Sequence, residues 1–355
     1  MSHQDKTAGQ TIAIDAMGGD EGAAMVVEGT AMARKRHPDV HFILHGNENI
    51  LRPLIEKFPI LSENVSVVHT EELVLAEDKP SQAVRRGRKS SMGMAIESVK
   101  NGDAMVAVSA GNTGALMAMS KVMLRTMPGI DRPALASILP TLRGESVMLD
   151  LGANVECGEE NLIQFAVMGA AFSRTVLGLE KPKVALLNVG VEELKGNDAV
   201  KNAGQALASA PLPMEYIGFV EGNGIAEGEA DVIVTDGFTG NVALKTAEGT
   251  ARFITALTRQ AFKTSLLTRI GYLFTRPGIR RLRRHLDPNN HNGAVFLGLN
   301  GLVVKSHGGA NARGFFTAIN VAVEMMRNDL SHLILEDLKN FDDQFPAEVV
   351  MEEKK

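Results

Sequence analysis

The 355 residues carry 37 Lys and Arg against 42 Asp and Glu, a formal charge of −5 that argues against general nucleic-acid binding. The lone Cys157 excludes an intrachain disulfide. Hydrophobic residues at 45% and charged residues at 22% are those of an ordinary globular chain, long enough to predict two intimately joined lobes over residues 10–340.

Residues 1–9 are polar and lack the apolar centre of a secretion signal, and no run of about 18 apolar residues occurs. A cytoplasmic protein is expected, at most peripheral on the inner face of a membrane. Residues 11–16 predict a first strand, followed by MGGDEG and a helix ending near Pro38; 41–45 and 65–69 predict two further strands. Between 80 and 102 a helical pattern carries Arg85, Arg86, Arg88 and Lys89, either a solvated face or a seat for an acidic partner or phosphate. A strand at 104–110 meets a Gly-rich turn and a helix over 112–125. Alternation continues with a strand at 147–150, a helix at 160–177, a strand at 183–189, a helix at 199–210 and a strand at 215–220. Such alternation predicts an α/β fold with a largely parallel sheet.

The stretch 231–249, DVIVTDGFTGNVALKTAEG, is the most informative. Three β-branched residues end in Asp236 and Gly237, and Thr239 or Asn241 can cap a helix whose apolar face begins at Val242. Helix N-termini of this kind attract anions. The same grammar of strand followed by Gly, Asn, Ser, Asp or Lys recurs after Asp15, Val108, Asp150, Leu187 and Lys305. Ligands in α/β sheets bind at the carboxyl ends of strands, so these six loops are expected to converge on one crevice.

Residues 263–286 then change character, with Lys263, Arg269, Arg276, Arg280, Arg281, Arg283 and Arg284 and no acid. Pro277 and Gly278 predict a break into two short helices, a basic amphipathic hairpin suited to an anionic membrane surface, an acidic protein or a dimer interface. A strand at 303–305 and one long helix over 310–338 follow, and residues 342–355 are expected to be a flexible tail.

The segments IAIDAMGGD, PSQAVRRGRKSSM, SAGNTGAL, DRPALA, LDLGANVE, LLNVGVEELKGN, GFVEGN, VTDGFTGNVALKTAEG and GLNGLVVKSHGGA, in that order, resemble the acyl-acyl-carrier-protein:phosphate acyltransferase family, PlsX. The likeness departs at EGAA, where a proline is expected, and at Gly224, where an acid is expected. The resemblance implies transfer of a long-chain fatty acyl group from acyl carrier protein to inorganic phosphate, giving acyl phosphate for phospholipid synthesis. It also implies a three-layer α/β/α fold like isocitrate and isopropylmalate dehydrogenases, a homodimer, and delivery to a downstream glycerol-3-phosphate acyltransferase.

A thioester is already activated and phosphate is a competent nucleophile, so the site must position both and stabilise an oxyanion. Lys195 and Asn241 are the first candidates, with Lys305 and His307 as a second pair. Gly196, Thr239, Gly240 and Asp236 would complete an anion cradle, and Asn112, Thr113 and Asn154 could hold phosphate or the carrier's prosthetic arm. Arg280, Arg281, Arg283 and Arg284 would contact membrane or carrier protein. No metal or cofactor is expected. The alternatives are a phosphotransacetylase acting on acyl-coenzyme A, a metal-dependent dehydrogenase that would use Asp15, Asp150 and Asp236, and a membrane-attached scaffold.

Overall fold

The computed structural model describes residues 10–344. Its strands are β1 (Thr11–Asp15), β2 (His41–Gly46), β3 (Val65–His69), β4 (Val106–Ser109), β5 (Ala134–Thr141), β6 (Gly144–Leu149), β7 (Lys183–Leu187), β8 (Glu215–Val220), β9 (Val232–Val234), β10 (Ala294–Leu297) and β11 (Leu302–Lys305). They form one 11-stranded sheet in the order β3-β2-β1-β4-β11-β10-β5-β6-β9-β7-β8. Helices cover both faces. On one lie α1 (Gly22–Arg36), α2 (Glu48–Ile55), α6 (Glu159–Leu177), α7 (Asp198–Ser209), α11 (Ala312–Arg327) and α12 (Leu330–Gln344). On the other lie α3 (Pro80–Arg86), α4 (Ser91–Asn101), α5 (Thr113–Leu124), α8 (Gly222–Glu227) and the first turns of α9 (Gly237–Ala261). This is the expected three-layer α/β/α architecture.

Alternation along each strand fixes which side chains face which layer. Ile12 and Ile14 join the α1 side while Ala13 joins the α4 side, and Val106 and Val108 do the same around Ala107. Asp15, Ser109 and Lys305, each one residue past an α1-side position, therefore project toward the α4 and α9 layer. So does Asp150, which follows Leu149 of the α1 side.

The sheet is less uniformly parallel than predicted. β1, β2, β3, β4 and β11 run one way and β6, β7, β8 and β9 run the other. Between them, β10 and β5 are antiparallel to both their neighbours. Neither was predicted. Val304 pairs with Val295, Val295 with Ala136, and Ser137 with Met148. The carboxyl ends of β11 and β6 thus reach nearly the same row from opposite directions, three strand spacings or roughly 14 Å apart. α9 runs from one of these ends toward the other, with Asn241 against Gly152 and with Lys245 and Glu248 acting on His307, and the space it spans is the candidate crevice.

Two helical expectations fail. The segment 263–286 is not broken at Pro277 and Gly278: α10 (Leu266–His285) runs through both, and it pairs with the outer half of α9 to make the hairpin. A proline costs a helix interior about 3 kcal/mol, and the compensations sit at the ends. Ser265 caps the Thr268 amide in a reciprocal box, and Arg283, Arg284 and His285 oppose the dipole at the C-terminus. The single helix over 310–338 is two, α11 and α12, because Asp329 turns the chain with φ 46° and the Asn328 side chain binds the Glu324 carbonyl. α12 continues to Gln344, so the proposed tail begins later than 342 within the described residues.

Candidate active site

At the crevice wall formed by β1, β4 and β11, a polar row replaces the apolar ladder of the strands. The Ser109 hydroxyl donates to Asp15 at 2.7 Å, both residues being buried. Lys305, paired with Ser109 across β4 and β11, is 6% exposed. Its Nζ donates to the carbonyls of Ala110 and Ser306. Burial lowers its pKa to about 8 against the upward pull of Asp15 and Asp20, and Lys245 pushes the same way as burial. An ammonium in so dry a place is held by carbonyls and distant carboxylates, with no carboxylate in direct contact.

His307 follows two residues later, its backbone N–H donating to Asn292 at 2.8 Å. Its Nδ1 accepts the Gly309 N–H at 3.1 Å, so the neutral ring carries its proton on Nε2. Loss of hydration lowers its pKa first; Glu248 and Asp20 raise it, while Lys305 and Lys245 lower it further. The neutral donor form is therefore the one present near pH 7.

Lys245 and Glu248 come from α9, where they pair at 3.0 Å, and Arg252 stands 3.9 Å from the same carboxylate. Asn241, one turn before Lys245, is exposed and lies over Gly152 in the loop after β6. α9 thus joins the two halves of the crevice: Asn241 at the β6 side, Lys245 and Glu248 toward His307 and Lys305.

The β6 loop is wound round Asp150. This buried carboxylate accepts from the backbone of Leu135, Gly152, Ala153 and Asn154 and from the Asn154 amide. Burial still raises its pKa. Asn154, its amide shared with the Pro133 carbonyl, is buried loop framework. Gly240 packs on the same loop so closely that a Cβ would lie 1.9 Å from the Asp150 carbonyl oxygen. Asp236, not Thr239 or Asn241 as expected, caps α9: the helix starts at Gly237, and Asp236 accepts from both the amide and the hydroxyl of Thr239 at 2.8 Å, while the Gly237 amide donates to the Asn154 carbonyl. Much of the anion cradle expected at this N-terminus is occupied by the protein's own acceptors. Among the described residues, no group of three His, Cys, Asp or Glu side chains stands close enough to hold a metal ion.

Other candidates are placed elsewhere or otherwise engaged. Asn112 caps α5 through Ala115, and its Nδ2 donates to the carbonyls of Leu75, Ala76 and Asp78. Thr113 beside it is exposed. Lys195 sits on a loop closed on itself, its carbonyl accepting from Asn188 and its amide donating to Glu192, with the side chain exposed. Gly196 completes that loop with φ 93°, where a Cβ would meet Asn188 at 2.3 Å. Of the expected trio Lys195, Asn241 and Lys305, Asn241 lies against Gly152 of the β6 loop, Lys305 sits at the end of β11 with Lys245 of α9 acting on it, and Lys195 stands on the separate loop after β7. Cys157 is a free, half-buried thiol, pushed up to about 11 by burial and by Asp150. Asp20, Lys245, Glu248 and Asn292 were missed, although Lys245 and Glu248 lie at helical spacing from Asn241 and were legible on that account.

Residues 10–333 match the model of the fatty acid synthesis protein family. A phosphate acyltransferase from Paramagnetospirillum magneticum is 54% identical over 97% of both chains. One from Parvibaculum lavamentivorans is 56% identical over 94% of this chain and 92% of its own. Among solved structures, a phosphotransacetylase from Streptococcus pyogenes superposes with TM-score 0.59 at 17% identity, covering 92% of this chain and 99% of that one. The EutD phosphotransacetylase from Staphylococcus aureus gives 0.57 at 18% identity over 91% and 96%, a likeness of fold. Carried by a match that runs nearly end to end, the chain belongs to the fatty acid synthesis protein family, the phosphate acyltransferases known as PlsX.

Proposed function

We propose that the chain transfers a long-chain acyl group from acyl carrier protein to inorganic phosphate, and that the acyl phosphate feeds phospholipid synthesis through a glycerol-3-phosphate acyltransferase. The observation that carries the reading is the dry ammonium of Lys305 two residues from the Nε2–H of His307, two donors at the carboxyl end of β11. A phosphate oxygen attacks the thioester carbonyl, the C–O bond forms, and the oxyanion is met by His307 or Lys305. The C–S bond then breaks, and the proton lost by hydrogenphosphate ends on the leaving thiolate. Lys245 holds phosphate at the opposite wall, and Asn241 orients it or the carbonyl. Asp150, Asn154, Asp236, Thr239 and Gly240 shape the loops. Lys195 and Gly196 on the loop after β7 remain candidates for placing a cation beside phosphate, and Asn112 and Thr113 for phosphate or the carrier's prosthetic arm.

The test incubates the protein with an acyl-carrier thioester and phosphate in EDTA without nicotinamide. Phosphate-dependent thiol release matched mole for mole by acyl phosphate carrying radiolabel from the added phosphate supports the reading; no phosphate-dependent thiol release refutes it. Comparing carrier and coenzyme A thioesters decides between carrier-linked transfer and a phosphotransacetylase.

Arg280, Arg281, Arg283 and Arg284 are exposed on α10, and no helix among the described residues is long and apolar enough to cross a membrane. In this reading they attach a homodimer to anionic lipid or dock the carrier. Their replacement by Glu abolishes vesicle flotation in the first case and raises the carrier KM in the second.

A further inference from the structure

A cleft of about 590 Å³ opens between α9 and α10, within the range of roughly 300–1,000 Å³ usual for small-molecule sites. Its wall is mostly apolar, with Phe262, Ile279, Leu282 and Leu286 among the lining, and the rings of Phe262 and Tyr272 meet 5.3 Å apart at the hairpin tip. Arg259 and Arg283 also line it; their stems can cover apolar surface while their heads stay in water.

Both arms of the hairpin leave from the crevice. On α9, Lys245, Glu248, Arg252, Thr255, Arg259 and Phe262 recur at steps of three and four, one continuous stripe. Its first members act on His307 and its last three line the cleft. From Glu248 to Phe262 this stripe is roughly 21 Å long. On the other arm, Leu286 lines the base of the cleft, and the chain goes on through the short turn Pro288–Asn290 to Asn292, which accepts from the His307 amide. The two helices that wall the cleft are therefore both rooted beside His307, with an apolar lining at the hairpin and a polar one at the root.

We propose that this cleft receives the hydrocarbon chain of the acyl donor, the methyl end toward Phe262 and Tyr272 and the thioester carbonyl beside Lys305 and His307. The inference rests on the acyl-transfer reading and deepens it: the hairpin selects long chains over acetyl. Each buried methylene then raises kcat/KM about fourfold until the tip is reached.

The full chain contains no tryptophan, so Ile279→Trp gives a single fluorophore inside the cleft and fills part of it. A hexadecyl thioether of pantetheine, added below its micellar concentration, shifts its emission to the blue saturably. The ratio of hexadecanoyl to acetyl kcat/KM falls at least tenfold. Leu282→Ala, which removes bulk and cannot clash, moves the preferred chain length upward. An emission indifferent to the thioether, an emission that moves only with protein concentration because a second copy covers the cleft, or one that moves only with vesicles overturns the proposal. So does an unaltered chain-length ratio in both variants. If the unmodified chain forms no acyl phosphate from any donor, the acyl-transfer reading fails instead, and the fluorescence arm still decides whether the cleft takes a hydrocarbon chain.

Discussion

Lys305→Met is the most informative single change. The side chain is 6% exposed and its pKa is lowered from 10.5 to about 8, chiefly by burial. If the cation meets the oxyanion, its loss lowers kcat about 10²–10³-fold, as for other buried oxyanion donors. In the unmodified protein the rate should fall as pH rises through about 8, the folded-state pKa, far below the alkaline limit of a surface lysine. Stability should move the opposite way. Between about 8 and 10.5 the unfolded chain binds more protons at this position than the folded one, so folding gains as pH rises across that window, by roughly 3 kcal/mol at most. Initial rates and urea midpoints over pH 6.5–10.5, in both proteins, give the answer. The variant should lose the alkaline fall in rate and the rise in stability together. A variant within threefold of the original kcat, or one retaining the same alkaline fall, refutes the argument.

Glu248→Gln removes a carboxylate that raises the pKa of His307, so the imidazole titration followed by NMR should move to lower pH, while the urea midpoint changes little because the Lys245 pair is surface-exposed. Gly240→Ala drives a Cβ to 1.9 Å from the Asp150 carbonyl oxygen; the overpacked α9 start should cost about 1–3 kcal/mol by urea unfolding, and an unchanged midpoint would show that the contact relaxes freely. Arg174→Met strands Asp337, which is 5% exposed and ion-paired to Arg174 between α6 and α12, and should cost about 3–5 kcal/mol in the same assay. Replacing both by apolar residues should recover most of that loss.

Strands with apolar runs and turn residues at their ends were legible, because burial on both faces writes β-branched residues into VIV and TIAID without need of partners. β5 and β10 were not. ALASILPT and AVFL are also bounded by Gly or Pro, but both run antiparallel to their neighbours, and no helix separates β5 from β6 or β10 from β11, so the strand-helix alternation passes over them. The cap of α9 falls earlier than expected, at Asp236 rather than Thr239 or Asn241; its position just before Gly237 and three residues before Thr239 was a local signal that was passed over. The roles of Asp150, Asn154 and Asn112 could not be read locally: each is set in part by a distant segment, the Leu135 amide for Asp150, the Pro133 carbonyl for Asn154, and the Ala76 and Asp78 carbonyls for Asn112. Pro277 misled for a related reason. A local breaker rule carries no knowledge of the capping box and the basic last turn of α10, which runs unbroken through Pro277.

The relative placement of the two crevice walls depends on a short ladder, Ala134–Leu297, Leu135–Phe296 and Ala136–Val295. A slip of one residue there would slide Lys305 past Asp150 by about 3.4 Å and turn the inward side chains of one strand outward. Insertions or deletions should therefore be lethal to activity in these two inner strands and far better tolerated at β3 or β8, the outermost strands. A deep scan of single-residue indels would trace the functional centre of this protein as a narrow band of intolerance along its middle.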